Sequence, residues 1–536
     1  MLKFKIFTIR NLFISTVILY MLVTLLPYAF VTHDGPSHLY NAHIINKLLF
    51  SNGSVYEKFH AFNPNWTQPN LLGYFILCFL QMVVPFLWAE KILIAFYVLI
   101  FSFGFRFFIK QVSADPEWYS LLIFPFILNA ILFWGFYNFL IGFAMSFWFI
   151  GLYEKFKVKY TCLRMLLLIM LSLLVYFSHA LVFLFCGLYV FIRIVHEICI
   201  QKKLNISTLK SSLFPGLIFL PGILFFIGFF LQQKNTQLIY EEGYQLFNRL
   251  SLLWFRIDAL SFTGYSEGSF LKILYVILLI FSALKFYHIL KMKEQIFTPS
   301  VILLGVYFLI YLFMPDSAAG GGIITIRLNL VFFLYLILWL SDQPLRKFNK
   351  YLIIVFYLIS FPLLVQRWNV IQNTASHCRY VLDETETLIP VNSTFSTIYT
   401  KPIACFISDY KIHSYIDLMS KLDNYIAIKY NALTFHNYEA GNNFVASYFP
   451  VIWKNRKSSD VTWTQIDTEH KLEYYELSDL EKIWNQKPGI ILCIGSFKII
   501  EKYKPVWDAN NDYSMLKSDK ANFLKLYSLD STRKQK

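Results

Sequence analysis

Residues 71–110 read LLGYFILCFLQMVVPFLWAEKILIAFYVLIFSFGFRFFIK, an apolar run closed by Arg106 and Lys110. About 20 apolar residues suffice to cross a bilayer as a helix. The run is therefore long enough for two crossings, or for one crossing and a helix lying on the surface. The charges on either side decide between them. With a single crossing, Arg106 and Lys110 fall on one side, and so do Lys155, Lys157, Lys159 and Arg164, then Lys202, Lys203 and Lys210. Lys285, Lys291 and Lys293, and finally Arg346, Lys347 and Lys350, join them there. Lys3, Lys5 and Arg10 at the start of the chain share that side, which the positive-inside rule makes the cytoplasm. Residues 70–86 are thus expected to form an interfacial helix broken at Pro85, and residues 88–110 the second span.

Working outward, the first span is expected over 8–31; no small-residue cleavage motif precedes His33, so it is read as retained. Further spans are expected over 119–134, 136–153, 164–178, 180–198, 211–231, 270–290, 299–314, 325–341 and 351–367. The expected fold class is an α-helical polytopic membrane protein with about 11 transmembrane helices and a C-terminal extracytoplasmic α/β domain. Residues 1–367 form the transmembrane part, with external loops 33–87 and 232–269. Residues 368–536 read as a soluble α/β domain with strands near 393–399, 490–494 and 522–526 and a helical stretch near 478–484.

Composition agrees with this reading. The 536 residues are 57% hydrophobic and 15% charged, with a mean hydropathy of +0.51, which excludes an ordinary soluble protein. A net charge of +15 would suit a nucleic-acid binder, but the basic residues sit in short loops between apolar runs, so no nucleic-acid partner is expected. The seven cysteines have no metal-ligand spacing, and at most one disulfide, among Cys378, Cys405 and Cys493, is compatible with their positions.

The candidate chemistry begins where the first span emerges, at Val31-Thr32-His33-Asp34-Gly35-Pro36-Ser37-His38 and on to His43. Ionisable groups beside hydrocarbon are costly and are retained mainly where they line a cavity, pair, or react. Asp34 and His38 are spaced i, i+4 and would share a face of a helix starting near Pro36. Asp34 is read as a general base or an acidic metal ligand facing an external cavity, the alternative being a polar helix cap at the interface. Tyr137, Asn138, His179, Asp316 and Arg327 are expected at the same outer level; each taken singly reads as an interfacial residue. Arg327 follows the glycine run 320–322 and is read as a phosphate ligand, with snorkelling to lipid phosphates as the alternative. A metal site from His33, His38, His43 and Asp34 lacks a recognised spacing. No cofactor is expected, and a divalent metal is the open alternative. Walker, dinucleotide-binding, HExxH and G-x-S-x-G patterns are absent, so chemistry driven by ATP within the chain is not expected.

This layout resembles the GT-C superfamily of polytopic membrane glycosyltransferases, the class of protein O-mannosyltransferases and bacterial aminoarabinose transferases. The likeness rests on His33-Asp34-Gly35-Pro36-Ser37-His38, on Gln68-Pro69-Asn70-Leu71-Leu72-Gly73-Tyr74 with the run to Lys110, and on the turn from Asp316 to Arg327. The stretch Asn437-Tyr438-Glu439-Ala440 to Phe449-Pro450-Val451 is similar to tails of bacterial members. The chain departs from the family at Asp34-Gly35, where an Asp-Glu pair is frequent, so a second acid has to come from elsewhere.

The resemblance implies an inverting glycosyltransferase that moves a sugar from a polyprenyl-phosphate donor to an extracytoplasmic glycan, lipid or protein acceptor. Asp34 would be the catalytic base, and Arg327, His38, Asp316, Asn138 and His179 would bind substrate. The expected location is the bacterial inner membrane, multi-pass, with a cytoplasmic N-terminus and membrane lipids as neighbours. The competing expectations are a non-enzymatic transporter or flippase for lipid-linked glycans and an accessory subunit of an envelope glycan assembly.

Overall fold

A computed structural model describes residues 8–63, 65–201, 215–232, 249–250, 258–260, 265–292, 298–317, 322–342, 344–386, 388–401, 418–441, 450–454, 465–467, 488–494, 513–518 and 524–529. Among the described residues, seven helical segments are long and apolar enough to cross a membrane, one of them the composite segment Pro116–Trp134, as expected of a membrane-embedded helical protein.

Helix α1 (Ile9–Leu25) starts at Thr8, whose hydroxyl accepts the Asn11 N–H at 3.2 Å. It stops well before residue 31, the end expected from the sequence. Pro27 cannot continue the hydrogen-bond ladder, and Lys91 Nζ takes the carbonyls of Leu25 and Pro27 at 3.1 and 2.9 Å. The chain then reaches α2 (Gly35–Phe50), the short α3 (Val55–Phe59) and strand β1 (His60–Phe62).

The run at 71–110 folds as α4 (Leu72–Val83) and α5 (Phe86–Val112), parted at Pro85. At 1.5 Å per residue these are about 18 and 40 Å long, so only α5 can cross about 30 Å of hydrocarbon. The expected span at 119–134 is not one regular helix. It comprises α6 (Pro116–Tyr119), a 3₁₀ turn (Ser120–Phe126) that contains Pro125, and α7 (Ala130–Trp134), which begins at an Asn129 cap.

There follow α8 (Tyr137–Phe156), α9 (Cys162–Ser178), α10 (Ala180–Gln201), α11 (Leu220–Gln232), α12 (Tyr265–Met292), α13 (Pro299–Phe313), α14 (Ile324–Ser341) and α15 (Lys347–Glu384). α15 does not end near 367 but runs on to Glu384. The polar half that read as the start of a soluble domain has no breaker, and Arg367 anchors its middle. Arg367 is 1% exposed and donates to Glu267 Oε1, the Leu260 carbonyl and the Pro125 carbonyl at 3.1, 2.8 and 3.2 Å.

Beyond α15 lies a mixed sheet. Strands β2 (Thr394–Lys401), β6 (Ile490–Ile494) and β8 (Leu524–Leu529) coincide closely with the three expected from sequence. β2 pairs in parallel with β3 (Leu433–Thr434), β5 (Gln465–Asp467) and β6, while β8 runs antiparallel between β6 and β7 (Tyr513–Ser518). The expected helix near 478–484 and most of the loop 232–269 lie outside the described residues, as does Cys405. Cys378 and Cys493 are not joined to each other by a disulfide.

Residues 418–441 do not stand apart from the helical part. Helix α16 (Leu422–Lys429) packs on α2 and is followed by β3 and the single turn α17 (Tyr438–Gly441). Strand β4 (Val451–Trp453) pairs antiparallel with β1, and the His60 and Trp453 rings stack at 3.9 Å.

Candidate functional site

Asp34 is positioned by its backbone. The N–H groups of His33 and Asp34 donate to the carbonyls of Phe133 and Trp134 at 2.8 and 3.1 Å, so the chain leaving α1 is held against the end of α7. That approach requires glycine at 135. Gly135 takes φ +84°, and a Cβ there would lie 2.6 Å from the Gly35 nitrogen and 2.9 Å from the Asp34 nitrogen. Gly35 is equally constrained, because a Cβ would collide with Thr32 Oγ1, Tyr137 Oη and Glu90 Oε1.

Asp34 is the N-cap residue of α2, but its carboxylate makes no capping hydrogen bond. Oδ1 is instead paired with the ammonium of Lys421, and His33 Nε2 lies 3.9 Å away. Asp34 is 8% and Lys421 5% exposed. Burial opposes ionisation of Asp34, but Lys421, His33 and His38 outweigh it and hold the carboxyl well below the usual carboxylate range.

His38 turns to Glu439, an acid from the segment 418–441. Its Nδ1 lies 3.0 Å from Glu439 Oε1 and 2.9 Å from Tyr74 Oη. Tyr74 donates to Glu439 Oε2 at 2.8 Å, and Asn41 Nδ2 donates to the same oxygen at 2.5 Å. Burial disfavours a charged His38, yet Glu439 and then Asp34 raise its pKa above the ordinary 6.5. His43, by contrast, is pushed down to about 4 by burial and meets Asn431 at 3.2 Å. Asn424 donates to Ser37 Oγ at 2.8 Å, and Asn437 donates to Asn41 Oδ1 at 2.7 Å. The segment 418–441 therefore supplies a cation, an acid and three amides to the face of α2.

A further buried carboxylate, Glu90, sits in the first turns of α5 and is 1% exposed. Tyr137 donates to its Oε1 at 2.5 Å, Tyr425 donates to its Oε2, and Thr32 Oγ1 lies 2.8 Å from the Tyr137 hydroxyl. Thr32 also accepts the Gly35 N–H at 3.0 Å, which joins Glu90 to the Asp34 turn.

Arg327 forms a neighbouring centre on α14. It is 7% exposed, with its guanidinium carbon 4.3 Å from the Phe136 ring centre and 5.5 Å from that of Phe139. Its Nη1 lies 3.2 Å from His179 Nε2, and His179 Nδ1 accepts the Leu181 N–H at 3.3 Å. The two centres share one piece of backbone: Trp134 holds Asp34, Tyr137 holds Glu90, and Phe136 and Phe139 carry Arg327.

Of the residues singled out in the sequence, Asp34 and His38 sit in one electrostatic cluster although the His38 ring pairs with Glu439, and Arg327 meets His179. Asn138 and Asp316 have structural partners: Asn138 Oδ1 accepts the Gly73 N–H at 2.7 Å at the start of α4, and Asp316 Oδ1 accepts the Thr325 N–H at 3.0 Å. The Asp316 carbonyl also takes the Ile324 N–H at 3.0 Å, closing the turn before α14. The cation paired to Asp34 is Lys421 rather than Arg327.

Sequence reasoning passed over Lys421, Glu90 and Tyr425. A lone acid in the apolar run 71–110 was a usable signal for Glu90. For Lys421 and Tyr425 the sequence carries no local signal. Compared with known proteins, the chain matches no family model and has no significant match among curated proteins.

Proposed function

We propose that this chain is an integral-membrane inverting glycosyltransferase of the GT-C kind that uses a polyprenyl-phosphate sugar donor and an extracytoplasmic acceptor. The observation that carries the reading is the convergence of Asp34, Lys421, His38 and Glu439 at one end of apolar helices, on a turn that Arg327 also contacts. Buried ionisable groups gathered from separate segments are characteristic of functional sites.

In the proposed step the acceptor hydroxyl oxygen attacks the anomeric carbon, and the bond from that carbon to the phosphate oxygen breaks with its electron pair going to the phosphate. The hydroxyl proton passes to the Asp34 carboxylate. An Asp34 held ionised by Lys421 and His33 is a weak base, suited to a late transfer in which the attacking oxygen has already become acidic. Lys421 holds the carboxylate and competes for it, so acceptor binding has to loosen that pair. Arg327 stabilises the charge appearing on the departing phosphate. In this reading the roughly eleven-span topology places the site at the outer leaflet and residues 368–536 outside.

The test is transfer by Asp34→Asn in membranes, with folding followed by thermal melting. Loss of transfer by at least about 100-fold with the fold retained is expected for a general base; transfer within about threefold of the unaltered chain overturns the assignment.

One observation favours a second reading. Asp34 is closed over by Lys421, which suits an accessory subunit in which the cluster only ties residues 418–441 to α2. In that case Asp34→Asn lowers stability and leaves transfer by the assembled machinery intact.

A further inference from the structure

The site around Asp34 occupies one end of α5 and α8, and a separate cavity occupies the other. Glu90 and Gln111 are 21 residues apart on α5, which places the two regions about 30 Å apart along the helix. The cavity has a volume of about 480 Å³, within the usual range for small-ligand sites. Glu154 and Lys157 at the end of α8, Arg193 on α10, Lys285 on α12 and Asp342 after α14 contribute its charges.

The two carboxylates there already have partners. Glu154 is met by Lys157 at 2.6 Å, by Arg193 Nε at 2.9 Å and by the Tyr189 hydroxyl at 2.8 Å. Asp342 is met by Lys285 and by Ser300 Oγ at 2.5 Å. Among the described lining residues, Lys157 and Arg193 share the single carboxylate of Glu154, while Lys285 is matched by Asp342, which leaves one positive charge in excess around Glu154. Glu197 reaches Lys157 and Arg193 at 3.8 and 3.9 Å, but its side chain is 49% exposed and its charge is screened by water.

Donors are also in excess. Trp339 lines the cavity and is 8% exposed, and its buried indole N–H has no acceptor among the described residues. Arg193 Nε–H, although close to Glu154, does not point along a hydrogen bond. Buried donors without acceptors are costly, and an oxygen-rich anion in the cavity would satisfy both. Leu303, Ile289 and Leu338 form an apolar wall, which suits the carbon portion of such a ligand.

The geometry points to a second ligand site here, one that binds the phosphate group of an amphiphilic or small phosphorylated molecule between Arg193, Lys157 and Trp339. The site is independent of the reaction proposed at Asp34. Two sources share this chemistry, a phospholipid headgroup and a soluble phosphate ester.

The test uses the full chain in phosphatidylcholine nanodiscs. Inorganic phosphate and glycerol 3-phosphate are titrated by calorimetry, and discs doped with phosphatidylglycerol are assayed for retained lipid by native mass spectrometry. Saturable binding of the soluble probes assigns a soluble ligand; retention of phosphatidylglycerol alone assigns a headgroup. In either case Arg193→Gln is expected to weaken binding about tenfold and Trp339→Phe, which keeps the ring and removes the N–H, about threefold. Asp34→Asn should leave this binding unchanged, which separates the proposal from the transferase reading. Absence of binding by every probe overturns the inference, as does binding that Trp339→Phe and Arg193→Gln both leave intact. If Arg193→Gln fails to fold, Trp339→Phe carries the test alone.

Discussion

Replacing Lys421 by Met removes the cation from a pair in which Asp34 is 8% and Lys421 5% exposed, while keeping most of the side-chain volume. Breaking a buried ion pair from one side costs about 3–5 kcal/mol, because the remaining charge is left desolvated. His33, 3.9 Å from Asp34, and His38 remain, so the low end, about 3 kcal/mol, is expected. The Asp34→Asn, Lys421→Met double variant carries no uncompensated charge and should recover about 2 kcal/mol of that loss, a coupling typical of contacting residues.

The pH dependence gives an independent sign. In the unaltered chain the Asp34 pKa is depressed, so its contribution is present above the unfolded value of about 3.9 and is lost as pH falls through the folded value. Without Lys421, the burial that opposes ionisation is countered only by His33 and His38, so the loss of stability that Asp34 contributes on acidification should shrink in Lys421→Met. Unfolding in mixed micelles, followed by tryptophan fluorescence at several pH values, measures both effects. A Lys421→Met variant within about 0.5 kcal/mol of the unaltered chain, or a double variant whose losses simply add, refutes the buried-pair account.

Three other outcomes are expected. His38 has a raised folded pKa, so its pairing with Glu439 is fully stabilising below about 6.5 and fades as pH rises through the folded value; His38→Asn should flatten the decline in melting temperature above neutrality, and an unchanged slope would argue against the pair. Gly135→Ala forces a side chain into φ +84° and against the Asp34 backbone, which should cost about 2–3 kcal/mol in the same unfolding assay; a change under about 0.5 kcal/mol would mean the turn relaxes freely. Arg327→Ala should reduce affinity for a polyprenyl-phosphate donor about tenfold or more, with Arg327→Lys only partly restoring it, and equal donor binding by all three proteins would remove Arg327 from the site.

Where the helices lie was legible from the sequence because an apolar segment satisfies its backbone within itself, so composition alone marks it. The division of residues 71–110 at Pro85, and strands β2, β6 and β8, needed no long-range information. Asp34 and His38 stood out for the same local reason, as charges next to hydrocarbon.

What each of them pairs with was decided only by tertiary packing. Lys421 lies 387 residues from Asp34, and Glu439 lies 398 from Asn41, so neither contact has a period or spacing to betray it. The persistence of α15 past Arg367 likewise rests on buried partners, Arg367 with Glu267 above all. Hydrophobic pattern specifies which residues leave water; which buried charge meets which is a property of the assembled core, where desolvation makes a matched partner decisive.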